Sequence, residues 1–164
     1  MTMNHYILHT YRSSILLSKI MGSLFVSSAL LKLLALQNFQ GEMRLYLEAY
    51  FPSIFIGHEH ILAISLCIME LFIGIYAITG FMRKRVSIVF VIILSFFVWL
   101  TGMNLFFPSL LGRIESCGCF GELIHFTPTE SFIKSLLLWI MSTTWFYMEF
   151  FSIDLNMSPN KKRR

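Results

Sequence analysis

Charge is scarce in this 164-residue chain: Asp, Glu, Lys and Arg together make up 13% of it, against about 25% in ordinary soluble domains. Cysteine occurs three times and proline four. So little charge excludes a disordered polar chain, and so few cysteines exclude a disulfide-dense secreted module. The composition is equally unlike a collagen repeat. Strand-period alternation is missing, so a membrane barrel has no support. The chain also shows no internal repeat, no phosphate-cradling glycine loop, no nucleophile elbow and no His-Glu-x-x-His. What it has in excess is apolar, with 56% hydrophobic residues and 16% aromatics. A water-soluble body of this size cannot hide that much apolar surface. The expected class is therefore an all-α integral membrane protein whose first partner is the lipid bilayer. The net charge of +4 is no nucleic-acid footprint, because the basic residues form no folded patch.

A bilayer core needs about 20 mostly apolar residues per spanning helix, and residues 14–36, 61–81, 86–107 and 132–153 meet that need. They predict a four-helix membrane domain over 14–153, flanked by a tail at 1–13 and a basic tail at 154–164. Between the spans lie two long loops, 37–60 and 108–131, and one tight turn. Lysine and arginine set the direction. Arg12 and Lys19 flank the start of the first span, Arg83-Lys84-Arg85 fill the tight turn, and Lys161-Lys162-Arg163-Arg164 form the tail. All three groups fall on one side. The opposite loops carry Arg44, Arg113 and Lys134 among an excess of glutamates. Both termini are thus expected in the cytoplasm of a bacterial inner membrane, with the long loops in the periplasm. Ser27-Ser28-Ala29 faintly resembles a signal-peptide cleavage site. Lys19 interrupts the would-be apolar core, however, and Lys32 follows it, so a retained helix is the expectation.

Two of the three cysteines stand together in Cys117-Gly118-Cys119-Phe120-Gly121, on a loop expected outside the cytoplasm, where disulfides persist. Cysteines at i and i+2 lie near the upper limit of bridgeable separation, and Gly118 supplies the backbone freedom that so small a ring demands. A strained bridge is readily reduced, which suits a redox role. Arg113 would lower a thiol pKa there, while Glu115 and Glu122 would raise it. Two other readings stay open. The cysteines could form an inert staple, or bind metal with His58, His60 or His125, although no standard ligand spacing is present and no metal is expected. Cys67 falls inside the second span, where a buried thiol is inert.

Lys32 and Glu70 are the charged residues set well inside the spans. An isolated ionisable group there costs about 2.5–3.5 kcal/mol or more, which makes each a functional candidate. At 1.5 Å per residue their depths differ by one to two helical turns, which the lysine stem can partly bridge. A buried pair tying the first two spans is the preferred reading. A proton or quinone site with Glu70 as the titrating group, or a lysine that snorkels outward, are the others. Gly22, Ser23, Ser27, Ser28 and Ala29 on the first span, with Gly74 on the second, make small-residue faces for close helix approach.

Three segments resemble a known family. Ser28-Ala29-Leu30-Leu31-Lys32 with Phe39 looks like the first helix and loop of the MauE group within the DoxX-like membrane proteins. Met69-Glu70-Leu71-Phe72-Ile73-Gly74 resembles that group's second-helix E-x-x-x-G segment, and Cys117-Gly118-Cys119-Phe120-Gly121 resembles its hallmark after the third helix. The cysteine motif is the specific one. The family takes its name from methylamine utilisation, where founding members are implicated in maturing a disulfide-rich dehydrogenase subunit. The resemblance implies Cys117 and Cys119 as a redox pair and Lys32 and Glu70 as a helix-embedded polar pair. It also implies a partner in the periplasm, thioredoxin-like or itself disulfide-containing.

The expected function is therefore thiol–disulfide exchange or maturation of a partner protein through an external Cys-Gly-Cys loop. No bound cofactor is evident, and a membrane quinone is the one left open as electron partner. A homo-oligomer is compatible with so small a bundle. The alternatives are a non-catalytic assembly or scaffold subunit and, more remotely, a small-solute carrier built on Lys32 and Glu70.

Overall fold

The computed structural model describes residues 2–50, 57–107 and 127–157, with side chains for 10–48, 57–107 and 127–150. Within them the chain is helical throughout and forms five helices: α1 (Thr2–Leu34), α2 (Leu36–Tyr50), α3 (Glu59–Thr79), α4 (Arg83–Phe106) and α5 (Pro128–Met157). Each boundary has a local cause. α3 stops at Gly80, whose φ of 75° lets its N–H reach back to the Tyr76 carbonyl, the left-handed cap that glycine adopts without a Cβ clash. Met82, at φ 50°, completes the turn into α4. α4 ends at the residue before Pro108, where the ring disfavours further helix. α5 opens on a reciprocal cap. The Glu130 carboxylate accepts the Thr127 N–H at 2.8 Å, and the Thr127 hydroxyl accepts the Glu130 N–H at 3.3 Å. Pro128 occupies the first helical position, where its missing N–H costs nothing.

Residues 37–60, expected as a loop, are largely helical, because α2 occupies Leu36–Tyr50. Its apolar residues Leu36, Phe39, Met43, Tyr46 and Leu47 recur at helical spacing. Phe39 packs on Ala63 and Cys67 of α3, with Leu36 and Met43 beside it. A single residue, Ala35, separates α2 from α1. Its N–H still bonds the Leu31 carbonyl at 3.1 Å, so the junction is a bend rather than a loop. α1 itself begins at Thr2, so the stretch expected as an N-terminal tail is helical.

Among the described residues three helices are long and apolar enough to cross a membrane: α1 from Thr10, α3 and α4. α5, at 30 residues, has the length. Its Ser131, Ser135, Ser142, Thr143 and Thr144, with Lys134 and Glu149, make it less apolar than the other three. Hydroxyls elsewhere in the helices are accommodated by bonding carbonyls one turn back, as Ser95 does to Val91 at 2.7 Å and Thr101 to Phe97 at 2.8 Å.

α1 lies antiparallel along α3, and α4 antiparallel along α5, while α1 also packs on α5. At the α1–α3 crossing the backbones nearly touch. A Cβ built on Gly22 would come within 2.7 Å of the Gly74 carbonyl oxygen, and one on Gly74 within 2.9 Å of the Gly22 oxygen. Only glycine at both positions permits this approach. The Ser18 hydroxyl donates to the Ala77 carbonyl just beyond it. The central core is Met21, Phe25, Ala77, Val86, Phe90, Leu94 and Trp145, with the Phe90 and Trp145 rings edge to face at 5.5 Å. α3 and α4, although consecutive, touch only slightly.

Candidate functional site

The glycine crossing decides what meets further along. With α1 and α3 antiparallel and level near Gly22 and Gly74, ten residues along α1 carry the Lys32 backbone about 9 Å, between one and two helical turns, past the level of Glu70. The lysine stem covers the difference. Lys32 Nζ lies 2.6 Å from Glu70 Oε1 and 2.8 Å from Oε2, and the two side chains are 3% and 5% exposed. Of the readings open for these residues, the pair is the one observed. The ammonium also faces two aromatic rings, Phe39 of α2 at 5.1 Å and Phe97 of α4 at 5.8 Å. Ring faces attract a desolvated cation, so the pair is supported from α1, α2, α3 and α4.

Beside the pair lies a small cavity of about 40 Å³, bordered by Ser28, Lys32, Glu70, Phe97, Lys134 and Ser135. That volume has room for a few water molecules. Lys134 enters from α5, so two ammonium groups border a space that holds a single carboxylate. Sequence reasoning counts Lys134 with the outer-side cations although it falls inside the span expected at 132–153; the structure sets it in α5, one turn inside the Thr127–Glu130 cap.

The opposite end carries a second charged cluster that sequence reasoning does not assemble. Arg83 Nη2 stands 3.3 Å from Glu149 Oε2, with the two side chains 15% and 12% exposed. Ser14 links them, accepting from Arg83 at 2.8 Å and donating to Glu149. One serine hydroxyl thus ties α1, α4 and α5. Arg83 also lies over the Tyr11 ring at 5.4 Å.

Cys117, Cys119, Arg113, Glu115, Glu122 and His125 lie outside the described residues. Cys67 is fully buried against Phe39 and Ala63. His60 Nδ1 is 2.5 Å from Gln40 Nε2 of α2. Among the described residues no three His, Cys, Asp or Glu side chains gather as a metal site.

A family model described as "Methylamine utilisation protein MauE" matches residues 10–148. The chain is also 32% identical over 88 residues to Protein TlpB of Flavobacterium psychrophilum, an overlap of 54% of this chain and 21% of that protein. It therefore spans about a fifth of the length of the curated relative it matches. No solved structure matches it significantly.

Proposed function

The chain belongs to the family of the methylamine utilisation protein MauE, and from that premise we propose a four-span membrane protein whose Cys117 and Cys119 exchange disulfides with a partner outside the cytoplasm. The observation that carries this reading is the position of the helix ends that flank the cysteine segment. Phe107 and Thr127 stand at the end of the helices that holds Lys32, Glu70 and α2. The Arg83-Lys84-Arg85 turn stands at the other end of α4, 24 residues away along the helix, or roughly 36 Å. Positive residues favour the cytoplasmic side. That preference puts both termini in the cytoplasm and the cysteines beyond the opposite face, where a disulfide is stable. α5 serves as the fourth span, and kinship with the wider DoxX-like proteins is part of the same reading.

In the exchange, one thiolate of the pair attacks a partner disulfide and displaces one partner sulfur as a thiolate. The second cysteine then attacks the mixed disulfide and releases the reduced partner. The pair ends oxidised and the partner reduced; run backwards, the same two steps oxidise a partner dithiol. In the first direction a reduced thioredoxin-like protein returns the pair to the dithiol; in the reverse direction a membrane quinone takes the two electrons and returns it to the disulfide. Lys32 and Glu70 act as positioning residues that hold α1 and α3 in register beneath the cysteine segment. Methylamine metabolism is one setting for such a maturation step.

The test uses the Cys67→Ser chain in intact cells and a membrane-impermeant maleimide. Labelling of Cys117 and Cys119 that appears only after mild reduction is the expected result. No labelling with or without reductant, with denatured controls positive, would overturn the orientation. Partner oxidation unchanged in the Cys117→Ser/Cys119→Ser chain would overturn the exchange. A scaffold role is the second reading, favoured by the two charged clusters that lock the helices together. It predicts that the double serine chain loses its partner complex without any change in partner redox state.

A further inference from the structure

α3 and α4 leave an open cleft where their ends approach the turn between them. Ile73 and Tyr76 of α3 and Val86 and Val89 of α4 border about 350 Å³ of open space; Val86 and Ile73 lie deepest, where they also pack on the central core, and Tyr76 and Val89 are exposed. Phe81 and Arg85 stand at the mouth. Each of these helices spends its close packing elsewhere, α3 on α1 and α2, α4 on α5, so nothing in the described fold fills the gap.

The three consecutive cations of the turn fan out around α4 by about 100° per residue. Arg83 points inward to Ser14 and Glu149. Lys84 lies over the Phe150 ring of α5 at 5.4 Å. Arg85 is left on the cleft side, exposed, with no ion pair among the described residues, and its guanidinium touches only the Met82 sulfur at 3.9 Å. No acidic residue lines the cleft. Tyr76 and Phe81 are both exposed beside it, their rings 5.7 Å apart, which is the aromatic placement expected at a membrane–water boundary.

An apolar trough capped by one uncompensated arginine has the shape and charge of a phospholipid site. We propose that this cleft binds an anionic glycerophospholipid, with one acyl chain between Ile73, Tyr76, Val86 and Val89 and the headgroup phosphate on Arg85. The planar guanidinium meets a phosphate through paired N–H donors. An apolar helix from a second copy would instead strip water from Arg85 and offer it no acceptor, a costly burial. The lipid satisfies both halves of the site at once.

The experiment is native mass spectrometry of the full-length chain in detergent, titrated separately with dioleoyl-phosphatidylglycerol and dioleoyl-phosphatidylcholine. The glycerol lipid should be retained about fivefold more than the choline lipid, the contribution of one interfacial arginine. Arg85→Ala should abolish that preference and Arg85→Lys should keep part of it. Val89→Trp, which fills the trough, should reduce retention of both lipids. Equal retention of the two lipids, a preference that survives Arg85→Ala, or a two-chain species whose formation excludes lipid would each overturn the assignment. Helical circular dichroism of each variant separates loss of binding from loss of fold.

Discussion

Two acid–base pairs, one buried and one half-buried, stand towards opposite ends of α4 and are built differently. At the α2 end, Lys32 meets both oxygens of Glu70 directly, and almost no solvent reaches either side chain. At the turn end, Arg83 stands further from a single oxygen of Glu149, the Ser14 hydroxyl bridges them, and both side chains retain some exposure. The first pair joins two helices that are both apolar enough to span. The second joins α1, α4 and α5 at the level of the first residue of α4. The difference shows that similar charges serve different ends according to depth. Deep in an apolar bundle, removing one partner leaves the other charged and desolvated without its counter-ion. Near an end, a serine and nearby water take up the slack.

The largest effect should follow from breaking the deep pair from one side. Glu70→Gln or Lys32→Met alone should lower stability by about 3–5 kcal/mol, because the remaining group is left charged and desolvated. Lys32→Met/Glu70→Met together should recover most of the loss, since no charge is then stranded. Unfolding in mixed micelles measures all three. Single variants as stable as the parent would erase the contrast between the two ends. If the double variant is stable yet fails in disulfide exchange, the pair does more than hold helices together.

The deep pair should also depend on the glycine crossing, which the other end does not use. Gly22→Val places side-chain atoms where the Gly74 carbonyl already lies within 2.7 Å of the first Cβ. The helices must part, at about 1–3 kcal/mol for such overpacking. A cysteine cross-link between Ser18→Cys on α1 and Ala77→Cys on α3, which touch beside the crossing, should form readily in the parent background and slowly beside Gly22→Val. An undiminished cross-link would show that the register has another source. Glu149→Gln, by comparison, keeps an acceptor for Ser14 and should cost only about 1 kcal/mol.

These contrasts also mark what was legible beforehand. A charge inside an apolar run is conspicuous, so Lys32 and Glu70 stand out, and counting residues from the span ends places them within a lysine's reach. The Arg83–Glu149 pairing is not readable that way, because it needs the register of α4 against α5, which no periodicity specifies. Arg83 reads simply as an orientation marker, with nothing to point to its partner on α5. α2 escapes because a search for continuous apolar runs passes over a stripe spaced at three and four residues, Leu36, Phe39, Met43 and Tyr46. Lys134, near the start of the span expected at 132–153, reads as an outer-side cation, because which face of the helix it takes, and so its place beside Lys32 and Glu70, needs the register of α5 on α1. The cysteine pair stands out by its motif alone, and its chemistry rests on the family and on the helix ends that flank it.

The smallest expected effect belongs to a third carboxylate, which is fully exposed and stands at the start of α5. The Thr127 backbone N–H, and after it the Thr127 hydroxyl, hold the Glu130 carboxylate below its ordinary pKa. The sign follows directly. A carboxylate whose pKa falls on folding contributes fully above its unfolded value, about 4.3, and loses that contribution as pH drops through the lower folded value. Amide exchange at Thr127 and in the first turn of α5 should therefore quicken as pH falls below about 4, after correction for the intrinsic rate. Glu130→Gln separates charge from geometry, because glutamine can still close the cap but does not titrate. Protection in that variant should be flat with pH and slightly below the parent's neutral-pH level. A parent that shows no added opening at low pH would mean that the cap is held by Pro128 and the helix beyond it rather than by the carboxylate. Exposure would then decide even more than the two pairs suggest.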